Sequence, residues 1–220
     1  VLDIAPTEVY VERSAERQKT AAIASLRAFL EPRSLAVIGA SQRDGSIGNT
    51  VFRNLLRTGF GGVLYPVNPR ARVVSSVQSY DSVLNIREEV DSAVIIVPAP
   101  AVLEAVQQCG RKGVKALVII SAGFGEAGPE GKARQAAVVE TAARYGMRII
   151  GPNCMGLINT DPSVRLDATL APTMPPMRGR SAYSHSPRRT RRMCVLSAMS
   201  SSRSFIGMPR SLKSHYQIPG

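Results

Sequence analysis

Tryptophan is absent from this 220-residue chain, and histidine occurs only twice, at His185 and His215. Chemistry that runs through an imidazole therefore has no support in the first 184 residues. The three cysteines, Cys109, Cys154 and Cys194, form no C-x-x-C pair. With so few histidines beside them they supply neither a disulfide framework nor a zinc ligand set, and such thiol usage fits a reducing compartment. No apolar run approaches the ~20 residues of a membrane span, and no charged-then-apolar leader opens the chain. The expected location is cytoplasmic, with no membrane partner.

Carboxylates are missing from the last quarter of the chain. All 16 acidic residues lie at or before Asp167, while 9 of the 28 basic ones lie from Arg178 onward. The formal charge of +12 therefore shrinks to +3 over residues 1–177, which hold 19 basic and 16 acidic residues. A nucleic-acid-binding function would have to rest on the tail alone.

What is present centres on Leu35 to Gly48, L-A-V-I-G-A-S-Q-R-D-G-S-I-G. The short continuous run Leu35 to Ile38 suits a strand buried on both faces, and Gly39 allows a sharp turn. After Gly45-Ser46-Ile47-Gly48, the segment Asn49 to Arg57 places apolar residues at 51, 52, 55 and 56, which share one helical face. Free amides at that helix start, together with the helix dipole, favour an anion such as phosphate or pyrophosphate. A side chain at Gly48 is expected to occupy the space those phosphates need. The spacing is not G-x-G-x-x-G, because Ser41 and Asp44 stand where glycines would be required. Nor does the next strand, Gly62 to Val67, end in the carboxylate that takes a ribose hydroxyl in nicotinamide-binding folds; it ends in Asn68-Pro69-Arg70. A plain packing role for the glycines is the alternative to a phosphate cradle.

From Leu35 onward strand and helix alternate, with strands at Leu35 to Gly39, Gly62 to Val67, Ala93 to Val97, Ala116 to Ser121 and Arg148 to Gly151. Helices follow at Val102 to Lys112 and Gly131 to Tyr145. This order predicts an α/β doubly wound parallel sheet of about five strands with right-handed crossovers. Ligands in such sheets sit beyond the carboxyl ends of the strands. Those ends read Gly39-Ala40-Ser41, Val67-Asn68-Pro69, Val97-Pro98, Ser121-Ala122-Gly123 and Gly151-Pro152-Asn153-Cys154. They offer amides, hydroxyls and carboxamides but almost no acid, base or nucleophile, a lining that binds and orients rather than breaks bonds. Cys154 has no evident base to activate it and reads as a small packed side chain rather than a nucleophile.

Taken together, Gly39-Ala40-Ser41 with Gly45-Ser46-Ile47-Gly48, Tyr65-Pro66-Val67-Asn68-Pro69, Ser121-Ala122-Gly123-Phe124-Gly125-Glu126 and Gly151-Pro152-Asn153-Cys154-Met155-Gly156 resemble the CoA-binding domain of NDP-forming acyl-CoA synthetases. These are the ADP-forming acetate–CoA ligases, a family related to the succinyl-CoA ligase alpha subunit. The resemblance runs from about Ala28 to Pro175. It implies a Rossmann-like domain that holds coenzyme A, with phosphates over Ser46-Ile47-Gly48 and adenosine beside Val67-Asn68-Pro69 and Val97-Pro98. Arg70 is the expected partner of the ribose 3′-phosphate. It further implies CoA or acyl-CoA as ligand, with ligase and ATP-grasp domains or subunits of the same enzyme as partners. The phosphohistidine of the full enzymes belongs to a later domain, so no catalytic or metal-binding residue is assigned here.

The expected division is a connector helix over 1–27, the CoA-binding domain over 28–160, a linker over 161–177 and a Ser/Arg-rich tail over 178–220. The connector, a helix over Ser14 to Leu30 ended by Pro32, resembles the one that joins an acetyltransferase domain in some bacterial members; a Val-encoded start or an expression scar is the alternative. The tail departs from the family at Met177. It reads as a disordered segment, either a frame shift in a GC-rich gene or a basic arm with Arg188-Arg189 and Arg191-Arg192 at its core, nucleic acid being the less expected partner. Function thus lies among a CoA-binding part of an acyl-CoA synthetase inactive alone, a non-catalytic CoA or nucleotide sensor, and an NAD(H)-binding regulator with a DNA-binding tail.

Overall fold

The computed structural model describes residues 26–171 and, as a strand only, residues 193–194. The central sheet contains β1 (Ser34–Ile38), β2 (Val63–Val67), β5 (Ser92–Ile95), β6 (Ala116–Ile119) and β7 (Arg148–Ile150), all parallel, in the order β2-β1-β5-β6-β7. Sequence alternation decides how the two faces are covered. On β1, Ala36 and Ile38 join one core while Leu35 and Val37 join the other. On β6, Leu117 and Ile119 face the first core, and Ala116 and Val118 the second. Every residue of β1, β5 and β6 is buried, as strands covered on both faces must be.

Three helices connect the strands: α1 (Ile47–Thr58), α2 (Ala99–Lys112) and α3 (Pro129–Arg144). Val102, Ala105, Val106 and Cys109 of α2, with Val138 and Ala142 of α3, cover the first face. Val51, Phe52 and Leu55 of α1 cover the second. Each Val, Leu and Phe among them contributes about 1.5–3 kcal/mol by leaving water. Helices α2 and α3 begin earlier than apolar periodicity alone predicts. Each carries a proline in its first turn, Pro100 and Pro129, where the missing N–H has no partner to lose.

Two connections depart from the simple alternation. Between β2 and β5 the described chain makes no α-helix; a small hairpin, β3 (Val73–Val74) with β4 (Val77–Gln78), is followed by a 3-10 turn at Val83–Asn85. Ser75 and Ser76 at its tip have φ of 49° and 65°, the pair of positive values that a two-residue hairpin of the I′ kind requires. After β7 the chain forms β8 (Gly156–Asn159) and β9 (Leu166–Thr169), paired antiparallel. The stretch 161–177, expected to be a linker, is therefore structured where it is described. Leu166 and Ala168 join Leu157 over the second face beside α1, filling the place where a doubly wound fold would lay another helix. Asn54 of α1 fastens this hairpin by donating to the carbonyl oxygens of Thr169 (2.9 Å) and Ala171 (2.8 Å). Asp167 is fully buried in β9, with burial raising its pKa.

The expected connector over 1–27 lies outside the described residues up to position 25; residues 26–30 are helical. The expected disordered tail likewise lies outside them, apart from β10 (Met193–Cys194), whose backbone pairs antiparallel with β8. Among the described residues no helix is long and apolar enough to cross a membrane, and no cluster of His, Cys, Asp and Glu is arranged to hold a metal.

Candidate functional site: the rim at the strand carboxyl ends

Strand order reverses between β1 and β5, since the chain moves from β1 outward to β2 and then returns to β1's other side. Crevices at such switch points hold the ligands of open α/β sheets. The loop leaving β1 occupies this crevice and is fixed throughout by hydrogen bonds of its own. Gly39 N–H donates to Val67 O (2.9 Å), and Asn68 Nδ2 donates to Ala40 O (2.7 Å). Asn49 Nδ2 donates to Ser41 O (3.0 Å), and Gln42 donates to Val73 O from the hairpin beyond. Arg43 N–H donates to Ser41 Oγ (3.1 Å). Ser46 is the N-cap of α1: its hydroxyl accepts from Asn49 N–H at 3.3 Å and donates to Arg43 O at 2.7 Å. The first-turn amides of Ile47 and Gly48 remain beyond the cap, as helix geometry dictates.

The glycines here have two distinct roles. Gly39 has φ of 96°, and a Cβ on it would lie 2.2 Å from Ile96 O at the end of β5. At Gly48 a Cβ would lie 1.9 Å from Gly39 O. The expectation that a side chain at Gly48 would meet the ligand's phosphates is therefore corrected: it would meet the backbone of the β1 turn, so Gly48 lets α1 pack against that turn. Gly45 differs, with φ of 73° and nothing within 4 Å of a Cβ. Only backbone conformation calls for glycine there.

The other predicted residues fall on the same rim in unequal roles. Ala40 and Val67 are enclosed in the core, and their carbonyls accept from Asn68 Nδ2 and Gly39 N–H. Asn68 is a strut: while Nδ2 holds Ala40 O, its Oδ1 accepts from Arg70 N–H at 2.8 Å. Pro69 and Arg70 stand exposed on the turn so formed, and Arg70 makes no ion pair with a described residue. Val97 is half-buried, and Pro98 is the N-cap residue of α2. Ser121 Oγ donates to Val97 O (2.6 Å), tying the loop after β6 to the loop after β5. Ala122 is exposed at the rim. Asn153 follows a cis Gly151–Pro152 bond at φ of 57°, and its N–H donates to Ser121 O (3.0 Å).

Sequence reasoning gave no role to Glu126, Arg134 or Gln135, yet they spend the polar groups of the loop after β6. Glu126 Oε1 accepts from Gly123 N–H (2.6 Å) and Phe124 N–H (3.1 Å), Gln135 Oε1 accepts from Gly125 N–H (3.0 Å), and Arg134 donates to Gly123 O. Amides 123–125 are thereby engaged by side chains of the chain itself and are not offered to a ligand. Partial burial works to raise the Glu126 pKa, but the amides of Gly123, Glu126 and Phe124 and the Asn153 side chain outweigh it and hold the carboxyl below its ordinary value. The signals for these residues were a carboxylate inside a Gly-rich loop and, for Asn49, an amide on an otherwise apolar helix face. Cys154 is buried, its thiol donating to Ile119 O at 3.3 Å, and desolvation pushes its pKa up to about 11. A neutral thiol of this kind is not a nucleophile at pH 7.

A second concavity, of about 1140 Å³, opens at the opposite end of the strands between Arg33, Phe60, Asp91 and Asp161. Its main cation is already matched, Arg33 lying 3.3 Å from Asp91. It lacks the helix-start amides that suit a phosphate, so the carboxyl rim is the stronger site.

Residues 33–160 match the model of the CoA binding domain family. The chain belongs to this family. The CoA-binding domain is 47% identical over 152 residues to an ADP-forming acetate–CoA ligase of Archaeoglobus fulgidus, covering 69% of this chain and 22% of that protein. It is 48% identical over 153 residues to the alpha subunit of an ADP-forming acetate–CoA ligase of Pyrococcus furiosus, covering 68% and 33% respectively. Among solved structures, it superimposes with a TM-score of 0.64 and 40% identity on the dinucleotide-forming acetyl-coenzyme A synthetase 1 of Ca. Korarchaeum cryptofilum in complex with phosphate and ADP, over 67% of this chain and 31% of that one. The chain thus spans a third or less of the length of these relatives.

Proposed function

We propose that this chain holds coenzyme A for an ADP-forming acyl-CoA synthetase, serving the interconversion of acyl-CoA, NDP and phosphate with the free acid, CoA and NTP. Its CoA diphosphate lies over the start of α1, and the adenosine lies beside the loops after β2 and β5. Arg70 meets the ribose 3′-phosphate. The partners are the ligase and ATP-grasp parts of the same enzyme, on further domains or subunits, and the site of action is the cytoplasm. The observation that carries this reading is the Gly39–Gly48 loop, already fixed by its own side-chain struts at the switch point of the sheet, with helix-start amides left over for an anion. A nicotinamide cofactor fits less well, because Asn68 stands where the ribose-binding carboxylate would be and both ends of its side chain are engaged.

The rim supplies binding and orientation; its Glu126 carboxylate is spent on the Gly123 and Phe124 amides, and Cys154 is a buried neutral thiol. The full chain should therefore form no thioester from acetate, ATP and CoA when assayed alone. Turnover above that of a mock preparation would overturn this assignment.

A further inference from the structure

We propose that Glu126 is a positioning residue that locks three rim loops into one CoA-binding surface by occupying, with its own carboxylate, an anion nest built from the backbone of the loop after β6. The inference rests on the CoA reading of the rim and assigns the element that holds its far side in shape.

Two successive N–H groups, of Gly123 and Phe124, converge on a single oxygen of Glu126 at 2.6 and 3.1 Å. Successive amides aimed at one point form the concavity that proteins use for anions. Here the anion is internal. The side chain of Asn153, which belongs to the next loop after β7, adds to the groups that hold this carboxyl below its ordinary pKa. That loop is laced back again by Asn153 N–H to Ser121 O (3.0 Å) and by the Cys154 thiol to Ile119 O (3.3 Å). On its other side the nest presses on α2: a Cβ at Gly123, where φ is 99°, would lie 2.9 Å from Ala99 Cβ. Ser121 Oγ meanwhile holds Val97 O. Loops after β5 and β7 are thus both tied to the loop that this carboxylate holds in shape, and the three carry Val97, Pro98, Ser121, Ala122, Gly123 and Asn153 of the proposed site.

A carboxylate exposed on a rim that must receive a polyanion opposes binding through its charge. Its presence is accounted for by what it fastens: without an anion, the Gly123 and Phe124 amides lose their partner and the loop loses its shape. Because it acts through the backbone, Glu126 is replaceable by any small anion that fills the nest, which separates this role from ligand contact and from bulk stability.

The test uses the full chain as wild type, Glu126→Ala and Glu126→Gln, with CoA titrated by calorimetry and amide exchange followed at Gly123 and Phe124. Glu126→Ala should weaken CoA binding at least tenfold and speed exchange at both amides. Sodium formate, but not sodium chloride at equal ionic strength, should restore most of both losses. Glu126→Gln keeps an acceptor oxygen and should stay within about fivefold of wild type. Unchanged affinity and exchange in Glu126→Ala, or losses that formate leaves untouched, would overturn the proposal. Absence of CoA binding in the wild type would defeat the CoA reading instead, while the exchange data with and without formate still decide whether Glu126 fills the nest.

Discussion

Replacing Gly48 by alanine adds one methyl group and tests how the phosphate turn is built. A Cβ there would lie 1.9 Å from Gly39 O, 3.0 Å from Gly39 C and 3.4 Å from Ala40 Cα. All three neighbours are backbone at the end of β1, so none can swing aside as a side-chain tip would. Relief requires α1 to withdraw from the sheet by about an ångström, loosening Val51, Phe52 and Leu55 against the second core. Overpacking of this kind costs about 1–3 kcal/mol and occasionally more. For a domain of this size each kcal/mol lowers Tm by about 2–4 °C, so a fall of about 2–12 °C is expected by circular dichroism. The first-turn amides move with α1, and CoA affinity should drop at least tenfold by calorimetry. Gly45→Asn is the control: nothing lies within 4 Å of a Cβ there, and asparagine tolerates the left-handed region, so its Tm should stay within a few degrees of wild type. Gly48→Ala with wild-type Tm and wild-type CoA affinity would refute the close-approach argument. Near-wild-type behaviour of Gly48→Ala beside a severe defect in Gly48→Glu would instead restore ligand repulsion as the reason for glycine.

Two further substitutions separate contact from support. Arg70→Ala removes an exposed charge, for which pairing contributes about 0.2–1 kcal/mol; CoA should bind up to about fivefold more weakly, dephospho-CoA should bind unchanged, and the difference should shrink in 0.5 M salt. Equal losses for both ligands would remove Arg70 from the 3′-phosphate. Asn68→Asp turns the donor to Ala40 O into a charged acceptor 2.7 Å from that carbonyl, costing about 1–3 kcal/mol of stability; a gain of NADH binding without loss of Tm would show that Asn68 is a ligand contact and not a strut.

Much of this was legible in the residues because it depends on local pattern. The five strands show as short apolar runs, and the burial of β1, β5 and β6 on both faces follows from their lack of alternation. The prolines at 100 and 129 could have moved the starts of α2 and α3 outward, since proline in a first turn opens a helix as readily as it ends a loop. The β8–β9 hairpin was not legible in the same way. Leu166 and Ala168 are two apolar residues in a polar stretch, and only the uncovered side of the sheet beside α1 gives them a place. The rim was found but its division of labour was not. Spacing places Asn68, Ser121 and Gly123 at strand ends, whereas which polar atoms they spend on each other is set by loops distant in sequence, as in the bonds from Asn68 to Ala40 and from Ser121 to Val97. Glu126 was passed over for that reason: its partners are backbone amides, which every sequence possesses.

The central claim, that the carboxyl rim is built for coenzyme A, is tested most directly by calorimetric titration of the full 220-residue chain with CoA and with NADH under one buffer and salt. The account predicts saturable CoA binding at least tenfold tighter than NADH. Equal affinity for the two, or heat from NADH alone, would contradict it.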